Sequence, residues 1–327
     1  MALKAALDPV KIKEGIWGDI LTSQEAGLPE LADIDDESRR VIRIMGGNPG
    51  AMQLQGTNTF LVGTGKSRIL IDTGQGIPLW ADNVTKVLQE QDLDLSHILI
   101  THWHGDHTGG IPDLIDFNPL FASRIYKNDP DAGQHPIEDG QLFRTEGATM
   151  RAIHTPGHSV DHMCFLFEEE NALFTGDNVL GHGFSVCEDL GAYMTSLAYM
   201  EEQRATVGYP AHGVKIEDLP RVIKQYIRHK KSRERQVFTA LMREKSNLVK
   251  KGRPGKASLS IRELVFAMHG DVPEEMFESA MEPFMTEVLW KLAEDRKVGF
   301  EMFRGNRRWF INERTWKAES RKQGFCD

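Results

Sequence analysis

Three histidines and an aspartate fall within six residues of the stretch THWHGDHTGG: His102, His104, Asp106 and His107. Neutral imidazole nitrogens and carboxylate oxygens are the common zinc donors where thiolates are absent. On a loop, His102 and His104 can reach one ion from the same side, while Asp106 and His107 turn toward a neighbouring position. Each ion still needs partners. Three later turns offer them: His158 in TPGHS, Asp177 in FTGDN and His212 in YPAHG. Asp177 could serve both positions, since a bridging carboxylate lets two cations sit about 3.5–4 Å apart. Zinc is the first expectation from the donor types, with manganese or iron as alternatives.

These donors all follow short apolar runs. SRILIDTGQG, LSHILITHWHGDH, TMRAIHTPGHS, HMCFLFEEENALFTGDNV and ATVGYPAHG each read as a buried strand ending in a polar turn. WADNVTKVLQEQ has helical spacing, with Trp80, Val84, Val87 and Leu88 on one side. Strands mixed with helices, and chemistry at strand ends, point to a layered α/β domain. Beyond Leu219 the texture becomes helical and ends in a hairpin pattern, VGFEMFRGNRRWFIN. We therefore expect a lead-in over 1–38, a catalytic domain over 39–218, and a helical, winged-helix-like domain over 219–327.

Asp72, then the HxHxDH loop, then His158, Asp177 and His212 in that order resemble the metallo-β-lactamase fold superfamily. The resemblance implies an αββα sandwich carrying two divalent metal ions, usually zinc. It also implies that Asp72 orients the HxHxDH loop, and that Asp106 both ligates metal and carries the proton. GGNPGAMQLQGTNTFLVGTG, HWHGDHTGG, TPGHSVDHMCF, FTGDNVLGHG and YPAHG are similar, more narrowly, to a lactamase-like branch that includes a mitochondrial single-strand endoribonuclease. Within it they look closest to fungal atrochrysone carboxyl ACP thioesterases. That resemblance implies attack of a metal-bridging hydroxide on the thioester of an aromatic polyketide. The partner would be the acyl carrier protein of a non-reducing polyketide synthase. The alternatives are RNA cleavage by the same branch, or glyoxalase-II-like hydrolysis of small thioesters.

Other polar residues allow two readings. His182 and Asn58 could line a substrate pocket, with a loop or strand-edge role as the plainer reading. His154 and His162 read as structural or supporting residues rather than ligands. Trp103 is expected to pack against the fold. Tyr193, Met194, Tyr199 and Met200 read first as one face of an amphipathic helix, with a substrate-pocket lining as the sharper reading.

The chain has 327 residues, 40% hydrophobic and 27% charged, with a net charge of −9. That charge argues against a surface built wholly for nucleic acid. The stretch from Arg221 to Lys256 departs from it, with 13 basic against 2 acidic residues. It could dock an acidic carrier domain, bind RNA phosphates, or simply be a solvated helix face. Three widely spaced cysteines suit a reducing compartment. The start lacks a secretory or transit pattern, and no apolar run spans a bilayer. A cytoplasmic enzyme without membrane contact is the expectation.

Overall fold

The structure is a computed structural model that describes residues 27–252 and 256–323. By packing, these fall into two compact units, Leu28–Ser232 and a second built from Arg233 onward. The first unit carries every candidate donor.

Seven strands form one sheet in sequence order: β1 (Ile34–Ser38), β2 (Val41–Met45), β3 (Asn58–Val62), β4 (Ser67–Ile71), β5 (Asp94–Leu99), β6 (Ile125–Lys127) and β7 (His135–Pro136). The second sheet has the order β12-β11-β10-β9-β8. Its strands are β8 (Leu142–Thr145), β9 (Ala148–His154), β10 (Met163–Phe167), β11 (Ala172–Gly176) and β12 (Val207–Pro210). Pairing is antiparallel through β1–β4 and parallel from β4 to β7.

Alternation along the strands sorts the side chains between two cores. Val41, Phe60, Val62, Ile69, Ile71 and Leu99 meet Met150, Ala152, Met163, Phe165, Phe167 and Phe174 between the sheets. Their neighbours Ile42, Ile44, Leu61, Leu70 and Ile98 point the other way. There they pack on Trp80, Val84, Val87 and Leu88 of helix α1 (Pro78–Glu90), the four positions its sequence spacing picks out. On the other flank lies α4 (Leu190–Glu202), which follows two short helices, α2 (Gly105–Thr108) and α3 (Ile111–Phe117). Ser196 of α4 donates to the Pro156 carbonyl, and Arg151 of β9 bonds Gln203 just after α4. Sheets face to face with helices outside are the expected αββα sandwich.

Helix α5 (Leu219–Lys250) begins where the second domain was expected to start. Its first turns nevertheless pack into the catalytic unit. Leu219, Ile223 and Tyr226 are buried, and Tyr226 Oη accepts the Leu180 amide at 3.0 Å. The compact unit that holds these turns runs to Ser232. At the other end, residues 1–26 of the expected lead-in lie outside the described residues, and Ile34–Ser38 is already strand β1.

The second unit holds α6 (Ile261–His269), α7 (Glu282–Glu294), the hairpin β13 (Val298–Phe303) and β14 (Asn306–Ile311), and α8 (Glu313–Gln323). Ser260 and Glu263 close a capping box on α6. The hairpin turns through Arg304 and Gly305, both with positive φ, as a two-residue turn between twisted strands requires. No helix among the described residues is long and apolar enough to cross a membrane.

Candidate metal centre

The donors converge where β4, β5, β9, β11 and β12 end. Asp72 follows β4 in the left-handed region (φ 60°), which a short polar side chain tolerates. Its carboxylate accepts the Thr101 amide at 2.8 Å, the Thr101 hydroxyl at 2.9 Å and His107 Nδ1 at 2.8 Å. One side chain thus ties the end of β5 to helix α2. Below the loop, Gly110 has no room for a side chain: a Cβ there would lie 2.1 Å from the Thr73 carbonyl oxygen.

Two groups of donors result. His102, His104, His158 and Asp177 form one; Asp106, His107 and His212 form the other. In each group the candidate ligand atoms lie within 4.8 Å of one another. Asp177 links them. Its Oδ2 is 3.4 Å from His158 Nε2, while its Oδ1 is 3.2 Å from His212 Nε2 and 3.6 Å from His107 Nε2.

The surrounding bonds fix which ring nitrogen points inward. His107 donates Nδ1–H to Asp72 and so presents Nε2. His158 donates Nδ1–H to the Val186 carbonyl at 3.0 Å and also presents Nε2. His102 Nδ1 contacts Thr101 Oγ1 at 2.9 Å, and its Nε2 faces His104 Nδ1 at 2.8 Å. His104 Nδ1 is also 3.1 Å from His158 Nε2. His162, buried beside them, is not a donor here: its Nε2 accepts the Asp177 amide at 3.0 Å and its Nδ1 meets Thr155 Oγ1. His154 contacts the Val160 carbonyl.

Protonation divides the groups. Burial, added to the neighbouring histidines, pushes His102 well down and His104 down to about 4; burial also lowers His158. These rings offer lone pairs. Burial works against charge at His212 too, but Asp177 and Asp106 outweigh it and raise it to about 9. His107 is raised by Asp106, Asp72 and Asp177 against the same burial. The carboxyls of Asp106 and Asp177 are held well below the usual range, because His107 and His212 outweigh the opposing effect of burial.

Two buried atoms in the centre, His107 Nε2 and Asp177 Oδ1, have no hydrogen-bond partner. Buried polar atoms left without partners are costly. Three imidazole nitrogens within 3.1 Å contacts and a shared carboxylate answer that cost if cations sit among them. The residues fit a divalent metal site.

One expectation needs correction, and one alternative falls away. Asn58 takes the plainer strand-edge role and does not line a pocket. It is 1% exposed, and its amide donates to the Pro210 and Gly213 carbonyls at 2.9 Å each. It holds the turn that carries His212. Trp103 does not pack into the fold: it is 47% exposed, its ring edge-on to His104 at a centroid distance of 4.5 Å. His182 is exposed and lines a cavity of about 370 Å³ with Phe184, Lys215, Arg221 and Tyr226. Tyr193 and Met200 are buried on α4, the amphipathic reading, with Tyr193 Oη bonded to the Asn178 carbonyl.

Sequence reading passed over Thr57. This buried hydroxyl donates to Asp106 Oδ2 at 3.1 Å and receives Asn48 Nδ2 at 3.0 Å. Its only signal was its place beside Asn58 in GTNTF.

Residues 52–120 and 116–212 match the family model described as the metallo-beta-lactamase superfamily. The chain belongs to that superfamily. Among curated relatives of this chain is lactamase-like protein adaB of Aspergillus niger. It is 58% identical over 92% of this chain and 95% of its own. Lactamase-like protein nscB of Aspergillus fumigatus is 56% identical over 95% and 96%. A protein of Aspergillus chevalieri named atrochrysone carboxyl ACP thioesterase is 55% identical over 90% and 94%. Solved structures share the fold at low identity. A beta-lactamase domain protein from Burkholderia ambifaria superposes with TM-score 0.68 at 17% identity, covering 87% of this chain and 95% of its own. A metallo-beta-lactamase family protein from Thermus thermophilus gives 0.60 at 20%, covering 84% and 99%. The chain is a hydrolase of the metallo-β-lactamase type.

Proposed function

We propose that this hydrolase is a thioesterase. It cleaves the thioester joining an aromatic polyketide, of the atrochrysone carboxyl type, to the acyl carrier protein of a non-reducing polyketide synthase. One observation carries the reading. Two donor groups sharing Asp177 occur in a chain 55% identical, over 90% of its length, to a protein named as such a thioesterase.

His102, His104 and His158 would hold one cation and Asp106, His107 and His212 the other, with an Asp177 oxygen for each. Zinc suits these nitrogen and carboxylate donors, with manganese as the alternative. When bound, such ions polarise a carbonyl and make hydroxide available near neutral pH. The chain supplies orientation and proton handling. Asp72, Thr101 and Val186 keep the imidazoles aimed inward. Thr57, His107 and His212 all address Asp106 Oδ2. That leaves Oδ1 to take the proton given up by the attacking water and return it to the departing pantetheine sulfur. The exposed Trp103 offers an aromatic surface beside His104 for the acyl group.

The test is turnover by the metal-loaded protein of a carrier-bound aromatic thioester, set against cleavage of single-stranded RNA. Thioester hydrolysis without RNA cleavage is expected. RNA cleavage alone would replace this reading with that of an endoribonuclease.

A further inference from the structure

The basic stretch from Arg221 onward is not one surface. Lys230 is buried: its Nζ donates to the Ser185 carbonyl at 3.0 Å and lies 5.1 Å from the Tyr193 ring centroid. Lys245 is buried and bonded to the Ile311 carbonyl. Arg243 donates to the Ala267 carbonyl, and Lys256 faces Glu301 and the Phe310 ring. Arg253 lies outside the described residues.

Within the first unit, four cations of this stretch remain on the surface: Arg221, Lys224, Arg228 and Lys231. Steps of three, four and three residues align them along one face of α5. Lys224 pairs with Glu201 at 3.7 Å, and Asp218 accepts the Arg221 backbone amide at 3.1 Å; the side chains of Arg221, Arg228 and Lys231 form no ion pair among the described residues. A row of four cations with a single ion pair stands out on a chain of net charge −9.

This face adjoins two hollows. One, of about 450 Å³, is lined by Asp218, Arg221, Lys224 and Arg228. The other is the cavity of about 370 Å³ that reaches Leu180, Phe184 and Tyr226; Asp218, Arg221 and Gln225 border both. The inner wall is the loop that follows Asp177. Its Gly181 amide donates to the His212 carbonyl at 2.9 Å, and its far end, at Val186, holds His158. One loop therefore faces the cavity and also supports three of the metal donors.

We propose that the Arg221–Lys224–Arg228–Lys231 face docks an acidic carrier domain, and that the hollows beside it receive the phosphodiester and the start of the thiol arm. The inference rests on the thioesterase reading. Charge complementarity selects the partner: opposed surface charge steers encounter and fixes register. A cationic rim suits a phosphodiester, and the Leu180, Phe184 and Tyr226 wall suits methylene and amide groups. Single-stranded RNA would call for aromatic rings free to stack on bases. Phe184 is already stacked on His229, with centroids 3.9 Å apart and planes 11° apart.

The experiment compares the full chain with its Arg221→Glu, Lys224→Glu, Arg228→Glu, Lys231→Glu variant, both metal-loaded. The probes are an aromatic acyl group on a holo carrier domain and the same acyl group on N-acetylcysteamine. Titration calorimetry with the unacylated holo carrier domain reads docking without turnover. We expect KM for the carrier substrate and Kd for the holo domain to rise at least 10-fold, with the wild-type salt dependence flattened. The small thioester should be hydrolysed within twofold of wild type, which also reports intact folding; a single Lys224→Glu variant should show an intermediate effect. Unchanged carrier KM and Kd overturn the proposal, as does loss of affinity for a fluorescent single-stranded RNA with carrier binding unmoved. Hydrolysis of neither thioester by the wild type would instead reject the thioesterase reading, while the calorimetry still decides docking.

Discussion

His107 Nδ1 and Asp72 Oδ2 lie 2.8 Å apart, both buried, 35 residues apart in the chain. The contact fixes the imidazole tautomer and joins the end of β4 to the first turn of α2. Removing such an outer partner costs about 10- to 100-fold in metal affinity. Asp72→Ala also leaves the Thr101 amide and hydroxyl without their acceptor and strains the left-handed backbone at φ 60°. We expect metal content after dialysis and Tm to fall together, with Asp72→Asn milder because asparagine tolerates that backbone. Full metal content and unchanged Tm in the alanine variant would show that the loop holds itself.

Two tasks are proposed for Asp106, and Asp106→Asn separates them. An amide keeps an oxygen for ligation but cannot carry the proton at neutral pH. General acid–base assistance is worth about 10²- to 10⁴-fold. The expected result is a kcat loss in that range with metal stoichiometry near that of the wild type. Normal turnover with full metal would remove the proton-carrying assignment.

Metal loading should release protons unequally. Ligating histidines must be neutral. In the metal-free protein His212 is raised to about 9 and His107 is also raised, so below about pH 9 the proton competes with metal at their group. His104, lowered to about 4, and the lowered His102 and His158 present no such competition at neutral pH. Calorimetry of chelator-stripped protein in two buffers of different ionisation enthalpy should show one binding phase with proton release and one without. The proton-linked phase should tighten as pH rises toward 9. Two phases free of proton release would contradict this ordering.

The site was more legible in the sequence than its support. His102 to His107 crowd into one loop, and His158, Asp177 and His212 each follow an apolar strand, so type and spacing alone drew them together. The core face of α1 was equally plain, because Trp80, Val84, Val87 and Leu88 keep helical period. Trp103 was misread, and the pocket alternative for Asn58 was open, for a common reason: local sequence does not say which way a residue beside a site faces. Asn58 turns toward the Pro210 and Gly213 carbonyls, contributed by a segment over 150 residues away. Trp103, though apolar and set between two donors, is left outward. The end of the first compact unit at Ser232 has no mark in the sequence, since α5 runs unbroken across it.

Trp103 carries the last expectation. A large aromatic side chain that is 47% exposed is not a core contributor, so its removal should change stability by less than about 0.5 kcal/mol. Its ring stands beside His104, where an aromatic acyl group would sit over the donors. An aromatic pair is worth about 0.5–1.5 kcal/mol beyond area burial, or about 2- to 13-fold in affinity. Trp103→Ala should therefore raise KM for an aromatic thioester by that factor and leave KM for an acetyl thioester in place. Trp103→Phe should restore most of the difference, because a phenyl ring keeps the face. Tryptophan emission should be quenched by the aromatic product in the wild type and less so in Trp103→Phe. An equal KM change for acetyl and aromatic substrates would mean that Trp103 acts through His104 and the metal donors rather than by contact with the acyl ring.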